Sequence, residues 1–323
     1  MKKFRKIYIN INSRCNCKCV NCILKEESRE NGTLLQVEDI RMIIDKVKSS
    51  YNDQYLNIVE VSGGEPTLHS SFVEIIKALY QAKQENLFYK ITLLTNAMTA
   101  SDKTFCSEIS KYLDDVVVTL YDTDPKVHDE FTRVPGSLSK KIDAIDNFLS
   151  FGVKVHIKLL VIKPSYQHLP QMASFIAEKW GNQVHVTING THYTGDAYKN
   201  QNLLSFSYTK AVDYIEIALD ILLANHIVAS IFFPLCLLDP YYWKCSPYGY
   251  KEIIDKSISI SPTYELGKAN RLLDEFINRS AICEDCLLLS RCNWPWKKYC
   301  EIIGDKEIAI AKEHLYKDII INN

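Results

Sequence analysis

The stretch Ile7-Tyr8-Ile9-Asn10-Ile11-Asn12, followed by Cys15-Asn16-Cys17-Lys18-Cys19-Val20-Asn21-Cys22, decides how the chain is to be read. Apolar and polar residues alternate over 7–12 as in a strand, so the cysteines stand on the loop leaving its C-terminal end. Open α/β sheets place their chemistry on such loops. Cys15, Cys19 and Cys22 follow a C-x3-C-x2-C spacing. Three thiolates so spaced can converge on one metal centre and leave a four-metal cluster one ligand short, open to a substrate. A zinc site, which usually closes with four ligands, and three unrelated thiols are the alternatives.

Downstream, Val59-Glu60-Val61-Ser62-Gly63-Gly64-Glu65-Pro66 ends an apolar run in two glycines and a carboxylate. Backbone bared by glycine beside a carboxylate acceptor suits a ligand ammonium group. The two motifs, in this order, resemble the radical S-adenosylmethionine (radical SAM) superfamily. The resemblance implies that Cys15, Cys19 and Cys22 hold a [4Fe-4S] cluster, that SAM chelates its open iron, and that Gly63, Gly64, Glu65 and Pro66 bind SAM. Asn21 stands where the family often has an aromatic residue, and Cys17 is an additional thiol inside the loop.

Helix and strand patterns then alternate: helix over 35–51, strand over 56–61, helix over 72–83, strand over 89–94, helix over 103–113, strand over 115–120, helix over 138–151, strand over 154–162, helix over 169–180 and strand over 184–188. Parallel neighbours need such crossovers, so the class is α/β with a parallel sheet. Periodicity does not separate an open sheet from a barrel. The resemblance implies a partial (β/α)6 barrel over 1–204 and a small twitch- or SPASM-like domain over 205–323. Polar residues at strand ends, Asn96 and Thr119, either cap the next helix or bond a ligand. The resemblance assigns both to SAM. It also covers Thr194-Gly195-Asp196-Ala197 with Asn200, the turn after the sixth strand. Arg133 can bind a carboxylate or make a surface ion pair, and the histidines lack metal-ligand spacing.

Beyond 205 the alternation is expected to stop, with a helical pattern over 206–226 and an apolar strand-like run over 227–238. Cys283-Glu284-Asp285-Cys286 and Cys292 then form C-x2-C-x5-C, which suits a zinc ribbon or a cluster. The resemblance implies an auxiliary [4Fe-4S] cluster, making two in all, on Cys236, Cys283, Cys286 and Cys292; the segment at Tyr299 and Gly304-Asp305-Lys306-Glu307 matches the same extension. The glycine usual after the third cysteine gives way here to Asn293-Trp294-Pro295-Trp296. Cys245 is the reserve ligand, or a substrate-side catalytic thiol, or a structural one. Cys300 has no assignment.

Bulk properties agree. Eleven cysteines without a secretory signal argue for metal ligation rather than disulfides, and Cys106, alone in a helical context, reads as a small buried hydrophobe. The net charge of −1 gives no sign of a nucleic-acid partner, and no apolar run reaches membrane-spanning length, so a cytoplasmic protein is expected.

The subgroup implied is one whose members modify ribosomally made peptides by cross-linking or other oxidation, with a flavodoxin- or ferredoxin-type reductant. Only fourteen residues precede Cys15, too few for the N-terminal peptide-binding domain of many such enzymes, so a separate leader-peptide-binding protein or the barrel surface is expected to serve. Oxidation or rearrangement of a small molecule is the second reading. A two-cluster electron carrier is the third, and the SAM-binding turn argues against it.

Overall fold

The computed structural model describes residues 3–30, 32, 34–49, 55–247, 258–260, 281–289, 291–292 and 297–321. The stretch Asn293 to Trp296 lies outside them. Eight strands form one sheet: β1 (Lys3–Asn12), β2 (Tyr55–Gly63), β3 (Lys90–Thr95), β4 (Asp115–Leu120), β5 (Lys154–Val161), β6 (Val184–Gly190), β7 (Val228–Phe232) and β8 (Ile258–Ile260). Their order is β7-β6-β5-β4-β3-β2-β1-β8, with every pair parallel. The helices are α1 (Glu26–Glu30), α2 (Val37–Ser49), α3 (Phe72–Gln84), α4 (Lys103–Ser110), α5 (Pro125–Thr132), α6 (Ser137–Ser150), α7 (Leu169–Lys179), α8 (Gly195–Lys199), α9 (Gln201–Leu204), α10 (Val212–Ala224), α11 (Lys297–Ile303) and α12 (Lys306–Ile321). None among the described residues is long and apolar enough to cross a membrane.

The two faces of the sheet differ in chemistry. One face carries Ile7, Ile9, Val59, Val61, Ile91, Leu93, Val116, Val118, Val155, Ile157, Val184 and Val186, all buried beneath helices that contribute Ile43, Ile76, Leu79, Phe148 and Ile176. Truncating one of these to Ala removes about 2–5 kcal/mol. The opposite face carries Lys6, Tyr8, Glu60, Thr92, Thr119, Lys158 and Thr187, by the strict alternation of a strand. Lys158 on β5 feels the charges of Glu60 on β2 and Lys6 on β1. In a flat sheet with strands about 4.8 Å apart these positions would lie roughly 14 and 19 Å away. Curvature closes that gap, and the polar face becomes the lumen of a partial barrel.

The expected elements are present within a few residues, with two differences. Asp124 caps α5 by accepting from Lys126 N (2.8 Å), with Pro125 at the first helical position. These are ordinary start signals in a short segment with little periodicity. The alternation also does not stop at 205. α10 packs on α7, and β7 adds a seventh strand beside β6, with Ile188 opposite Ile231. The sheet therefore runs past the expected boundary at 204. Residues 206–209, expected to begin the long helix, are held instead by the C-terminal segment: Tyr208 N donates to Tyr299 Oη (2.9 Å), Thr209 N donates to Glu307 Oε2 (3.1 Å), and the Tyr208 and Tyr299 rings stack at 4.0 Å.

Candidate active site

The cysteine loop leaves β1 at the open end of the lumen and is fixed from three sides. Lys18 N and Val20 N donate to Thr132 O (3.1 Å) and Phe131 O (3.0 Å), at the end of α5. Ala197 N donates to Cys22 O (3.0 Å), and Asn200 Nδ2 donates to Val20 O (2.9 Å). Arg29 joins Leu24 O (2.8 Å) to Asp196 Oδ2 (2.6 Å), with both charged groups largely buried. Gly195 is required at this junction: its φ is +56°, and a Cβ there would lie 2.2 Å from Ile23 O. The turn after β6 thus clamps the cysteine loop directly.

The four thiols of the loop are not equivalent. Cys17 is buried and shares hydrogen bonds with Cys15 and Cys19, which raise its pKa and lower theirs, Cys19 to about 6. The charge of Lys141 and the hydroxyl of Tyr121 further favour the Cys19 thiolate. Cys22 lies closer to Arg29; burial raises its pKa, opposed by the Leu24 N–H and Arg29. Asn96, expected at SAM, directs its amide at this loop, donating to Asn16 Oδ1 (2.7 Å) and lying 3.6 Å from Cys17 Sγ. Thr119 lies on the lumen face of β4, and its carbonyl accepts from Lys141 Nζ (2.8 Å). Lys141 itself is buried, with its charge 5.0 Å from the Tyr121 ring centre; burial lowers its pKa, and Cys19, Cys17 and Glu65 oppose that. Sequence reasoning missed it because a lysine in an amphipathic helix reads as solvent-facing.

The Gly63-Gly64-Glu65-Pro66 turn is fixed by close contacts within the chain. The glycines serve contact between two parts of the chain: a Cβ on Gly63 would lie 2.1 Å from Asn12 O and one on Gly64 2.2 Å from Arg14 O. Glu65 is 0% exposed, and its carboxylate is already occupied. It accepts from Thr67 N (3.1 Å), Thr67 Oγ1 (2.6 Å), Thr95 Oγ1 (2.7 Å) and Asn96 N (2.6 Å). Desolvation raises its pKa and these donors oppose the rise. Pro66 starts the short 3-10 turn that follows. Glu65 therefore ties the ends of β2 and β3 together, with three donors on Oε1 and only Asn96 N on Oε2. Asn12 Oδ1, buried in the same turn, has no hydrogen-bond partner among the described residues. An acceptor left so fits a ligand donor.

Glu65→Gln is expected to lower stability by roughly 2–4 kcal/mol, because an amide nitrogen would face donors that now meet a carboxylate oxygen. SAM affinity is expected to fall with it. Urea denaturation alongside SAM titration checks this; lost affinity at unchanged stability would mean that the carboxylate meets the ligand directly.

At the other end of the chain, burial raises the pKa of Cys236, and the charges of Cys292, Cys283 and Cys286 add to the rise. Cys286 N donates to Cys283 O (3.1 Å), the turn that Cys22 N makes with Cys19 O (3.1 Å). Lys312 from α12 donates to Ile282 O (2.8 Å) and Ser246 Oγ to Arg291 O (3.0 Å), fixing the chain beside Cys283 and Cys292. Cys245 is buried and responds to burial and Lys244. Among the described residues, no three His, Cys, Asp or Glu side chains close on a single ion. Thiolates that each hold one iron of a four-iron cube stand farther apart than that. Both sets of thiols suit such a cluster by donor type.

The remaining expected residues are ordinary. Arg133 caps α5 in the left-handed conformation and is exposed. His128 is buried against Ser137 (3.1 Å), and burial lowers its pKa to about 3. Cys106 is buried in α4.

A family model described as the radical SAM superfamily matches residues 9–176, more than half of the chain. An uncharacterized protein of Archaeoglobus fulgidus is 26% identical over 209 residues, 65% of this chain and 47% of its own length. A probable GTP 3′,8-cyclase of Methanocella arvoryzae is 29% identical over 163 residues, 50% of this chain and 49% of its own. The chain spans about half the length of these curated relatives. Among solved structures, native anSMEcpe with bound AdoMet aligns with a TM-score of 0.63 at 16% identity, covering 98% of this chain and 100% of that one. Streptococcus suis SuiB bound to precursor peptide SuiA aligns with a TM-score of 0.62 at 16% identity, covering 91% and 72%. At that identity the likeness is one of fold.

Proposed function

The chain belongs to the radical SAM superfamily, whose cofactors are SAM and a [4Fe-4S] cluster, and on that basis we propose that it modifies a peptide with the help of a second, auxiliary cluster. The observation that carries the proposal is that Cys236 feels the charges of Cys292, Cys283 and Cys286, which supports a second set of thiol ligands. The likeness in fold that spans the whole chain is to anSMEcpe, also solved with bound AdoMet and the Cp18Cys peptide.

When bound, the cluster and SAM supply reductive cleavage of the sulfonium and removal of a hydrogen atom from an unactivated C–H bond. Cys15, Cys19 and Cys22 would hold the SAM-binding cluster. Lys141 and Arg29 offset the negative charge of the thiolates, and Asn96 fixes the loop by its bond to Asn16. Because Arg29 is taken by Asp196, Lys141 beside Thr119 is the cation placed to receive the SAM carboxylate. Asn12 Oδ1 and the backbone of the Gly63-Gly64 turn would receive the ammonium, with Glu65 and Pro66 keeping that turn rigid. The segments that carry Cys236, Cys283, Cys286 and Cys292 would form the auxiliary-cluster unit, and Cys245, outside that ligand set, stays a candidate substrate-side thiol. A flavodoxin- or ferredoxin-type protein would supply electrons, and a separate protein can present the leader peptide.

The second reading, rearrangement of a small molecule, is favoured by the identity to a probable GTP 3′,8-cyclase. One experiment separates the two. Anaerobically reconstituted protein is incubated with SAM, dithionite and either the peptides encoded beside its gene or GTP. A change in peptide mass matched by 5′-deoxyadenosine is expected; GTP consumption with all peptides unchanged would establish the small-molecule reading instead.

A further inference from the structure

The lumen contains a cation that neither the cofactor end nor the fold uses. Lys158 lies on β5 between Thr119 of β4 and Thr187 of β6, while its neighbours Ile157 and Leu159 are fully buried on the helix side. Its side chain therefore belongs to the lumen. Lys158 makes no hydrogen bond or ion pair among the described residues. The residue is half-buried, and desolvation lowers its pKa. The charges that act on it are Glu60 and Lys6, which pair with each other; Glu60 is level with Thr92 and Asp115, near the starts of β3 and β4. Lys141, by contrast, interacts with Cys19, Cys17 and Glu65 at the opposite end.

We propose that Lys158 anchors a carboxylate carried by the substrate, held inside the lumen while the cofactor occupies its cysteine-lined end. The charge balance selects the ligand class. Lys6 and Glu60 pair with each other, which leaves Lys158 as the cation open to the ligand, matched in charge to a single carboxylate. A half-buried ammonium without a partner has lost part of its hydration, and an anion brought by the substrate offsets that loss. Two further groups suit the same ligand. Asn189 Oδ1, on the next lumen position of β6, is buried without a hydrogen-bond partner and can take a peptide N–H beside the carboxylate. His192, whose pKa burial and then Lys158 lower, stays neutral there and adds no competing charge. The substrate class is then a peptide with an acidic residue, an assignment that rests on the peptide reading above.

The test uses reconstituted protein with SAM and 13C-dimethylated lysines, in which the Lys158 signal is identified by its loss in Lys158→Met. The probes are Ac-Gly-Glu-Gly-NH2, its Gln twin and inorganic phosphate. The Glu peptide is expected to shift the Lys158 signal saturably and to bind roughly tenfold more tightly than the Gln twin. Lys158→Met is expected to lose that preference. Equal binding of the two peptides, or no shift with any probe, would overturn the anchor while leaving the peptide reading intact. A saturable shift with phosphate alone would overturn both.

Discussion

Protein in which Cys15, Cys19 and Cys22 are all replaced by Ala is expected to bind about four irons where wild type binds about eight, and to release no 5′-deoxyadenosine. The ligand sets lie at opposite ends of the chain, so the loss should leave the C-terminal group loaded. Cys17 shapes how this must be done. Its thiol already bonds to those of Cys15 and Cys19, so it can replace either one when that residue is changed singly. Cys22 stands apart beside Arg29 and has no such neighbour. Iron should therefore survive better in Cys19→Ala than in Cys22→Ala, and adding Cys17→Ala to the former should remove the difference. Iron content and 5′-deoxyadenosine yield read both outcomes. A triple variant that keeps eight irons would show that the loop does not hold a cluster.

Changing Cys283 and Cys286 to Ala is expected to leave SAM cleavage in dithionite and to abolish product. Among the bonds that attach the C-terminal segment to the barrel are those of Tyr299 and Glu307, which these substitutions leave in place. The variant should therefore keep its fold, which circular dichroism can verify first. Product at the wild-type rate would make the auxiliary centre structural or absent. Loss of SAM cleavage in the folded variant would show that the two centres are coupled through residues 206–209.

The sheet was readable in the sequence because its helix-side positions repeat strictly, as in Val116-Val117-Val118-Thr119-Leu120, and because crossovers of helical period separate the strands. β7 was visible as an apolar run, yet nothing local says that Ile231 lies beside Ile188. Pairing is a long-range property. The candidate site was readable as spacing, since the covalent chain fixes which cysteines can converge. Lys141 and Lys158 were not, because a lysine's burial depends on which way its helix or strand is turned. The internal partners of Glu65 were not readable for a similar reason: Thr95 and Asn96 arrive from another strand.

The clamp between the cysteine loop and the turn after β6 also orders events in the making of the protein. Asn200 reaches back 180 positions to Val20 and Asp196 reaches back 167 to Arg29. At a ribosomal pace of about 5–20 residues per second, the cysteines emerge roughly 10 to 40 s before their last fastenings exist. Throughout that interval the loop is a flexible tether bearing four thiols, able to bind stray metal but unable to hold a defined shape. Faithful iron–sulfur insertion therefore belongs after synthesis of the sixth strand, and donor proteins that deliver clusters would act on a nearly finished barrel rather than on the nascent N-terminus.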